Sequence, residues 1–249
     1  MAAVESLDRT IDPEEVEQFS RLAEAWWDPD GAFRPLHRLN PVRLAYIRDR
    51  ICARFGRDPK GDRPLQGLRI VDIGTGGGLV AEPLARLGAG VTGIDASARN
   101  VGTARVHAEG QGLAIDYRCA AAADLVAAGE AFDVVLSLEV LEHVADRGAF
   151  IQDCARLIKP DGMMILATLN RTPKSFLLGK VAAEYVLRWL PAGTHDWRRF
   201  VRPSELAADL RHAGLRIADL KGIAYSPLSD RFSLSGDIDV NYMALVERA

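Results

Sequence analysis

A short segment in the first third of the chain places a carboxylate directly ahead of a glycine-rich loop. The segment reads Arg69-Ile-Val-Asp72-Ile-Gly74-Thr-Gly76-Gly77-Gly78-Leu79. β-Branched residues precede the loop and apolar residues at helical spacing follow it, so the glycines fall in a predicted strand-to-helix crossover. Because glycine lacks Cβ and tolerates positive φ, a ligand can lie against bare backbone at the start of that helix. The pattern predicts a ligand-binding site with Asp72 at its edge.

The carboxylate indicates the charge of that ligand. Nicotinamide and flavin proteins use a similar loop for a pyrophosphate, which a carboxylate two residues before Gly74 would repel. The methionine part of S-adenosylmethionine (SAM) instead brings an ammonium and a sulfonium, and Asp72 would accept from the ammonium. Asp72, Gly74 and Gly76 are therefore predicted to bind SAM. A nicotinamide enzyme and a loop that is only a tight turn are the alternatives.

A second acid and a third strand end complete this edge of the predicted sheet. Asp95 ends the second strand about 20 residues past the loop, the spacing at which a carboxylate binds ribose hydroxyls. Ribose recognition fits both cofactor classes, so Asp95 indicates a nucleoside without choosing between them. Leu138 ends the fourth strand, and ligands of such sheets bind at the carboxyl ends of strands. Gly74, Asp95 and Leu138 are thus predicted to assemble one site.

Three side chains capable of acid, base or metal chemistry follow the fourth strand. Glu139, Glu142 and His143 are spaced i, i+3 and i+4, so they share one face if the segment is a helical turn. Together they are able to hold a divalent ion such as Mg²⁺ or to deprotonate an acceptor hydroxyl. Mg²⁺ prefers oxygen ligands, so the histidine fits base chemistry better, and His143 and Glu142 are the predicted catalytic residues. The alternative is an acid pair at a helix N-terminus, with the histidine bonded to backbone or a substrate loop.

The fold that brings these strand ends together is predicted from the order of the elements. Strict alternation of strands and helices is typical of an α/β protein with a doubly wound, mostly parallel sheet, here a Rossmann-like one. Five strands are predicted at 69–73, 90–95, 115–119, 132–138 and 163–169, and a closing pair at 215–223 and 240–246 makes seven. A turn at 159–162 is predicted to launch the fifth strand.

Two helices are predicted ahead of the sheet. Asp12 before a proline starts a helix running to about Trp26, and Asn40 before a proline starts another running to about Phe55. His37 and His195 lie in loops beside the predicted sheet, and either is a candidate for lining an acceptor pocket.

Size and composition limit the classes of protein. The chain has 249 residues, enough for a helical extension over 1–66 that contributes to the active site and a SAM-binding domain over 67–249. A net charge of -3 gives no general reason to expect nucleic acid. Three well-separated cysteines favour neither a disulfide framework nor a zinc cluster, so the cytoplasm is the expected location. We expect no signal peptide and no membrane-spanning segment.

A long apolar excursion at 171–200 separates the fifth strand from the next helix. Lys180, Glu184 and Arg188 make a narrow polar stripe on an otherwise apolar predicted helix. Basic residues flank that helix, namely Arg171, Lys174, Arg198, Arg199 and Arg202. One interpretation is peripheral contact with anionic lipid at the inner face of the membrane. The other is a lid or subunit contact that buries the apolar face against protein.

Motifs along nearly the whole chain resemble those of the ubiquinone biosynthesis O-methyltransferases, a family of class I methyltransferases. The shared segments are Trp26-Trp27-Asp28, 33–44, the glycine loop, 139–144, 168–171, 193–196 and 239–243. Thr75 stands where the family usually has cysteine. An alanine run at 120–123 replaces an acid-bearing segment, which leaves Asp124 as a weak substitute for the adenine-edge contact.

The resemblance implies both a set of site residues and a reaction. Donor contacts are implied at Arg43, Gly74, Asp95 and Leu138, and a divalent ion at Glu139, Glu142 and His143. Arg43 is physically suitable because a guanidinium can pair with the methionine carboxylate of SAM. The implied substrates are 2-polyprenyl-6-hydroxyphenol and 3-demethylubiquinol, with association with other quinone-biosynthesis proteins a further expectation. A methyltransferase of another small molecule and a non-catalytic SAM-binding subunit of a lipid-associated complex are the alternatives.

Overall fold

The structure of the protein, a computed structural model, describes residues 10–177 and 196–249. Within these ranges the chain forms one sheet of eight strands with helices on both faces. The strands are β1 (Arg69–Ile73), β2 (Gly90–Asp95), β3 (Asp116–Cys119), β4 (Phe132–Leu138), β5 (Ile158–Leu169), β6 (Leu215–Ser226), β7 (Arg231–Ser235) and β8 (Asn241–Arg248). The helices are α1 (Pro13–Ser20), α2 (Arg34–Arg54), α3 (Ala81–Arg86), α4 (Ala98–Gly110), α5 (Ala122–Ala127), α6 (Arg147–Arg156), α7 (Pro173–Ser175) and α8 (Pro203–His212).

The strand order is β3-β2-β1-β4-β5-β8-β6-β7. The first five strands are parallel, and β8 pairs antiparallel with both β5 and β6. The predicted doubly wound, mostly parallel sheet is therefore confirmed. Seven strands were predicted, whereas the described residues form eight. The additional strand is β7, which forms a hairpin with an extended β6. Phe232 and Leu234 of β7 alternate with polar residues, so the sequence carried a short strand signal that the prediction overlooked.

The central strands are buried on both faces, as the continuous apolar runs of β1 and β4 predict. Ile70 of β1 faces one cluster with Ile47 of α2, and Val71 faces a second cluster with Ile151 of α6. Helix α2 from the N-terminal part of the chain thus completes one face of the sheet. A third, smaller cluster joins Trp26 and other N-terminal residues to the region after the glycine loop.

The N-terminal helices differ from the prediction at their boundaries. Helix α1 ends at Ser20, and a short 3-10 helix, Ala23–Ala25, precedes the two tryptophans. Helix α2 begins at Arg34 rather than Asn40, so its second proline lies inside the helix. The Asn40 side chain does not cap a helix but donates from Nδ2 to the carbonyl of Leu79 at 3.2 Å. A tertiary partner has replaced the local one that an Asn-Pro pair indicates.

The turn predicted at 159–162 is a bulge inside β5. Phe132 of β4 pairs with Ile158, whereas Val134 pairs with Met163, so the extra residues of β5 bulge between these pairs. A Cβ on Gly162 would lie 2.9 Å from the carbonyl oxygen of Asp133, and such close approach of two backbones explains the glycine.

The predicted amphipathic helix of the excursion lies largely outside the described residues, since 178–195 are not part of them. His195 falls in the same gap. Among the helices that the structure describes, none combines the length and apolar character needed to cross a bilayer.

Candidate active site

The glycine loop after β1 has a backbone that side chains would not tolerate. Gly74, Gly76 and Gly78 all have φ in the left-handed region, at 76°, 53° and 90°. A Cβ on Gly74 would lie 2.4 Å from Val140 Cγ2, and one on Gly76 would lie 2.4 Å from the indole of Trp26. The loop is therefore enclosed by the segment after β4 on one side and by the N-terminal segment on the other.

The predicted strand ends do converge. Gly74, Asp95 and Leu138 all line one cavity of about 350 Å³ at the carboxyl ends of β1, β2 and β4. Asp72, Gly76 and Arg43 line the same cavity. Its wall continues along Phe19, Phe33, Leu36, Val144, Leu169 and Met243, which make it largely apolar beyond the glycine loop.

The carboxylate of Asp72 is almost completely buried. The residue is 3% exposed, and its Oδ2 accepts a hydrogen bond from the Thr75 hydroxyl at 2.8 Å. Burial raises the pKa of Asp72 to about 6, and the charge of Asp95 adds to this, while the Thr75 hydroxyl and Arg43 act in the opposite direction. A cation bound beside Asp72 would relieve the cost of burying its charge.

Asp95 is fixed by the backbone around it. Its Oδ2 accepts from the Gly76 amide at 2.9 Å, and its Oδ1 accepts from the Ser97 amide at 2.8 Å and from Asn100 Nδ2 at 3.2 Å. Burial raises the pKa of Asp95, and these three donors partly offset that rise. The orientation of a carboxylate predicted to bind ribose is thus set by the glycine loop and the first turn of α4.

Arg43 and Glu139 form an ion pair across the cavity wall. Arg43 is buried and donates from Nη2 to Glu139 Oε1 at 2.5 Å. Its Nε is also buried and has no hydrogen-bond partner among the described residues. Arg43 also lines the cavity, and a guanidinium there fits a ligand that brings a carboxylate.

The segment after β4 is not the helical turn that would place its three functional side chains on one face. Glu139 has φ of 58°, which breaks the helical spacing, and only a tight turn follows. Glu142 is buried, does not line the cavity, and accepts at 2.7 Å from the Thr168 hydroxyl. Burial raises the pKa of Glu142 to about 7, aided by the nearby charge of Glu139. His143 does line the cavity.

The predicted metal set does not come together. Glu139 is paired with Arg43, Glu142 with Thr168 and His143 with Glu15. Across residues 10–177 and 196–249, no group of three or more His, Cys, Asp or Glu side chains has the arrangement to hold a metal ion. As placed, these three residues do not form a site that fits Mg²⁺.

His143 is oriented by the N-terminal helix α1. Its Nδ1 lies 2.9 Å from Glu15 Oε2, and Phe19 meets the ring edge to face at 5.1 Å between centroids. A carboxylate only accepts, so Nδ1 carries the proton and a neutral imidazole would present Nε2 as the basic nitrogen. Burial acts to lower the pKa of His143, but the Glu15 hydrogen bond and the surrounding acids outweigh it and raise that pKa.

The N-terminal extension was predicted to contribute to the active site, but most of its residues that line the cavity were not named as site residues. Glu15, Phe19, Trp26 and Phe33 line the cavity, and the Trp26 and Phe33 rings stack at 3.7 Å between centroids. The signal that would have found them is the pair of consecutive tryptophans, because large aromatic side chains ahead of a domain must pack against something.

Two other candidates lie elsewhere. His37 does not line the cavity, and its Nε2 is 2.8 Å from the carbonyl oxygen of Trp26. Asp124 accepts from the Ala121 amide at 2.8 Å and so caps the start of its own helix. Ala120 to Ala122 line the cavity where an adenine-edge contact was expected.

Comparisons with known proteins agree with this geometry. Residues 71–166 match the family described as Methyltransferase domain. Over 240 residues the chain is 56% identical to the ubiquinone biosynthesis O-methyltransferase of Parvibaculum lavamentivorans, covering 96% of this chain and 95% of that protein. It is 57% identical over 239 residues to the protein of the same name from a Chelativorans species, covering 96% and 94% of the two chains.

Solved structures share the fold at low sequence identity. Magnesium protoporphyrin IX methyltransferase from Synechocystis, with bound S-adenosylhomocysteine, superposes with a TM-score of 0.64 at 22% identity, covering 94% of this chain and 95% of that one. A SAM-dependent methyltransferase from Aquifex aeolicus gives 0.57 at 12% identity, covering 96% and 100%. These likenesses establish the Rossmann-like class I methyltransferase fold.

Proposed function

The chain belongs to the family of ubiquinone biosynthesis O-methyltransferases, and we propose that it methylates phenolic hydroxyls of polyprenylated substrates with SAM as the donor. The substrates proposed are 2-polyprenyl-6-hydroxyphenol and 3-demethylubiquinol. The observation that carries the proposal is one cavity in which a donor-type glycine loop, two acids and a base-competent histidine meet an apolar wall. A methyltransferase of another small molecule and a non-catalytic subunit are not favoured, given the identity along almost the whole chain.

The residues of the donor side match the chemistry of SAM group by group. Asp72 would hold the ammonium, since a bound cation relieves the desolvation that raises its pKa. The guanidinium of Arg43, which lines the cavity, suits the methionine carboxylate. Asp95, held by backbone amides, suits the ribose hydroxyls, and Gly74 and Gly76 leave the backbone bare beside them. When bound, SAM supplies a methyl group already activated by its sulfonium.

The acceptor side must align a phenol and remove its proton. A phenol with pKa of about 10 is mostly neutral near pH 7, so a nearby base assists the transfer. We assign this role to His143, because it lines the cavity and its Nδ1 is held by Glu15. Glu142 is placed as a buried neighbour of His143 rather than as a group that reaches the substrate. The apolar wall suits a prenylated ring and excludes water.

Membrane contact is proposed for the excursion at 171–200. Phe176 and Leu177, at the edge of the described residues, are 45% and 60% exposed. The flanking cations support lipid binding less than the sequence suggests, since Arg171, Lys174 and Arg199 each pair with acidic side chains. The apolar side chains therefore carry the proposal, and contact with another quinone-biosynthesis protein is the alternative for the same face.

The function is tested by incubating purified protein with labelled SAM and each of the two proposed acceptors in detergent. We expect a methoxy product from both, and loss of product in Asp95→Ala. Asp62→Ala removes an exposed acid outside the cavity and should transfer methyl groups at the wild-type rate. Donor binding without transfer to either acceptor would reject the proposed substrates. Complementation of a quinone-deficient strain by Asp95→Ala would instead favour a non-catalytic subunit.

A further inference from the structure

The N-terminal segment makes polar contacts with the first turn of α4, the turn that holds Asp95. The hydroxyls of Ser20 and Ser97 share a hydrogen bond of 2.6 Å, and Ser97 is the N-cap of α4. Trp26 donates from its indole Nε1 to Asn100 Oδ1 at 3.0 Å. All four side chains are buried. The N-terminal segment therefore lies directly behind the carboxylate proposed to bind the ribose.

A continuous chain of hydrogen bonds leads from Trp26 to Asp95. Asn100 receives the indole N–H on Oδ1 and donates from Nδ2 to Asp95 Oδ1 at 3.2 Å. The other carboxylate oxygen of Asp95 accepts from the Gly76 amide. Trp26 also packs on that glycine, because a Cβ there would lie 2.4 Å from its ring. The same indole thus supports both sides of the carboxylate.

The chemistry of the three groups fixes the direction of this chain. An indole N–H only donates, so it selects the carbonyl end of the Asn100 amide and turns the NH₂ toward Asp95. The opposite orientation would point a carbonyl oxygen at a carboxylate and leave the buried indole N–H without an acceptor. Leaving a buried donor without a partner is destabilising. Without the indole N–H, the energy difference between the two orientations of the Asn100 amide becomes smaller.

We propose that Trp26 is a positioning residue of the donor site, which sets the orientation of the Asp95 carboxylate through Asn100. The inference rests on the proposed role of Asp95 in SAM binding. Docking of the N-terminal segment and donor binding are then coupled, and the coupling is reciprocal: the donor stabilises the docked segment as much as the docked segment favours the donor.

The test compares two tryptophans that stand side by side. Trp26→Phe keeps an aromatic ring for the stack on Phe33 but removes the donor to Asn100. Trp27→Phe is the matched control, because its indole donates to the Gly77 carbonyl at 2.8 Å and has no bond in the chain to Asp95. Calorimetry with S-adenosylhomocysteine should show about tenfold weaker binding for Trp26→Phe. The Kd of Trp27→Phe for S-adenosylhomocysteine should stay within about twofold of the wild-type value.

Two further measurements distinguish a positioning role of Trp26 from a general loss of structure. One is a double-mutant cycle with Asn100, and the other is a comparison of kcat with KM for SAM. In an Asn100→Ala background, Trp26→Phe should add little further loss, because the amide that it orients is gone. At saturating SAM, kcat of Trp26→Phe should match wild type while KM for SAM rises. Unchanged affinity in Trp26→Phe, an equal loss in Trp27→Phe, or additive losses in the cycle would each overturn the proposal.

Amide hydrogen exchange tests the reciprocal effect on the unmodified protein. Saturating S-adenosylhomocysteine should slow exchange over residues 20–33 in wild type and in Trp27→Phe, and less so in Trp26→Phe. If Trp26→Phe does not fold, the wild-type experiment still decides, since absence of protection over 20–33 would contradict the coupling. Failure of wild type to bind S-adenosylhomocysteine would reject the proposed function instead.

Discussion

Ionising Asp72 in the folded protein costs free energy, because burial disfavours the charge and the contacts within the protein only partly offset this. It is buried, and its pKa is raised to about 6 from an ordinary value of 3.8. An acid with a raised pKa binds more protons in the folded state than in the unfolded one, so its ionisation lowers stability as the pH rises from about 4 to about 6. A difference of about two pH units corresponds to about 3 kcal/mol at neutral pH. The charge of Asp72 therefore lowers stability, and the proposed binding of the SAM ammonium would offset that cost.

Replacing Asp72 by Asn should therefore raise stability and weaken donor binding. At pH 7.5 we expect a higher melting temperature for ligand-free Asp72→Asn than for wild type, with the gain shrinking toward pH 5. Donor affinity should fall at least tenfold in the variant. In wild type it should weaken as the pH falls through about 6, because the carboxylate becomes neutral.

Thermal unfolding with and without S-adenosylhomocysteine across this pH range measures both effects. Asp62→Asn, at an exposed position, is the control and should change neither. A lower melting temperature for Asp72→Asn at pH 7.5 would contradict the account.

His143 should affect transfer and not donor binding. It lines the cavity, whereas the donor contacts are assigned to residues of the glycine loop, β2 and α2. Removal of a general base commonly slows transfer about 100-fold or more, so His143→Ala should do so while donor affinity stays within about twofold. Single-turnover rates and donor titration measure the two quantities. His212→Ala, on the exposed face of α8, is the control, and loss of donor affinity in His143→Ala equal to that of Asp95→Ala would exclude this division of roles.

Both tryptophans contact the glycine loop, but only Trp26 also donates to Asn100, which holds Asp95. Trp26 packs on Gly76 and Gly77, and Trp27 donates to the carbonyl of Gly77 while stacking on His107 at 3.6 Å between centroids. The glycines at these two positions are therefore required by protein contacts as much as by a ligand. Helix α1 is held in turn by Arg199, which donates to Asp12 at 2.8 Å and to Glu15 at 3.2 Å.

Adding a Cβ to Gly76 should reduce stability and donor binding far more than adding one to a glycine with a similar positive φ outside the loop. Gly76→Ala should lower the melting temperature and weaken donor binding at least tenfold, because the methyl group would displace Trp26. Gly112 has φ of 68° with nothing within 4 Å of an added Cβ, so Gly112→Ala isolates the backbone cost of about 1 kcal/mol. Donor titration and thermal unfolding of both variants provide the comparison, and equal effects would show that strain alone explains the glycine.

At the scale of the whole molecule, helix α1 lines the cavity and also contacts Arg199. Arg199, near the end of the excursion at 171–200, pairs with Glu15, which in turn holds His143. The same excursion carries two exposed apolar residues, Phe176 and Leu177. This arrangement is consistent with a substrate that enters from a lipid phase, as proposed for the excursion.

Membrane contact should depend on those exposed apolar side chains. Flotation with anionic liposomes is expected to carry wild type to the top of a gradient, and Phe176→Ser combined with Leu177→Ser should reduce the bound fraction several-fold. Val106→Ser removes a side chain that is 71% exposed on α4 and should bind as wild type does. Equal flotation of all three proteins would leave burial against another protein as the explanation of this face.

Much of the fold and of the donor site was predictable, because the signals are local. Apolar runs predicted the strands that place Gly74, Asp95 and Leu138 at one edge, and the structure brings all three to one cavity. The bulge in β5 was missed because it has no periodic apolar pattern, whereas β7 was overlooked although Phe232 and Leu234 alternate with polar residues. The shared face of Glu139, Glu142 and His143 was wrong because it assumed a helical turn, whereas Glu139 adopts a left-handed backbone.

The amino-acid sequence by itself determined the alternation of strands and helices along the chain, the glycine loop and the acids beside it, since periodicity and glycine backbone freedom act within a few residues. Only the tertiary structure decided which distant side chains meet. His143 is bonded to a residue 128 positions away, Arg43 to one 96 away and Trp26 to one 74 away. Such partners follow from how helices pack on the sheet, and local propensity carries no information about them.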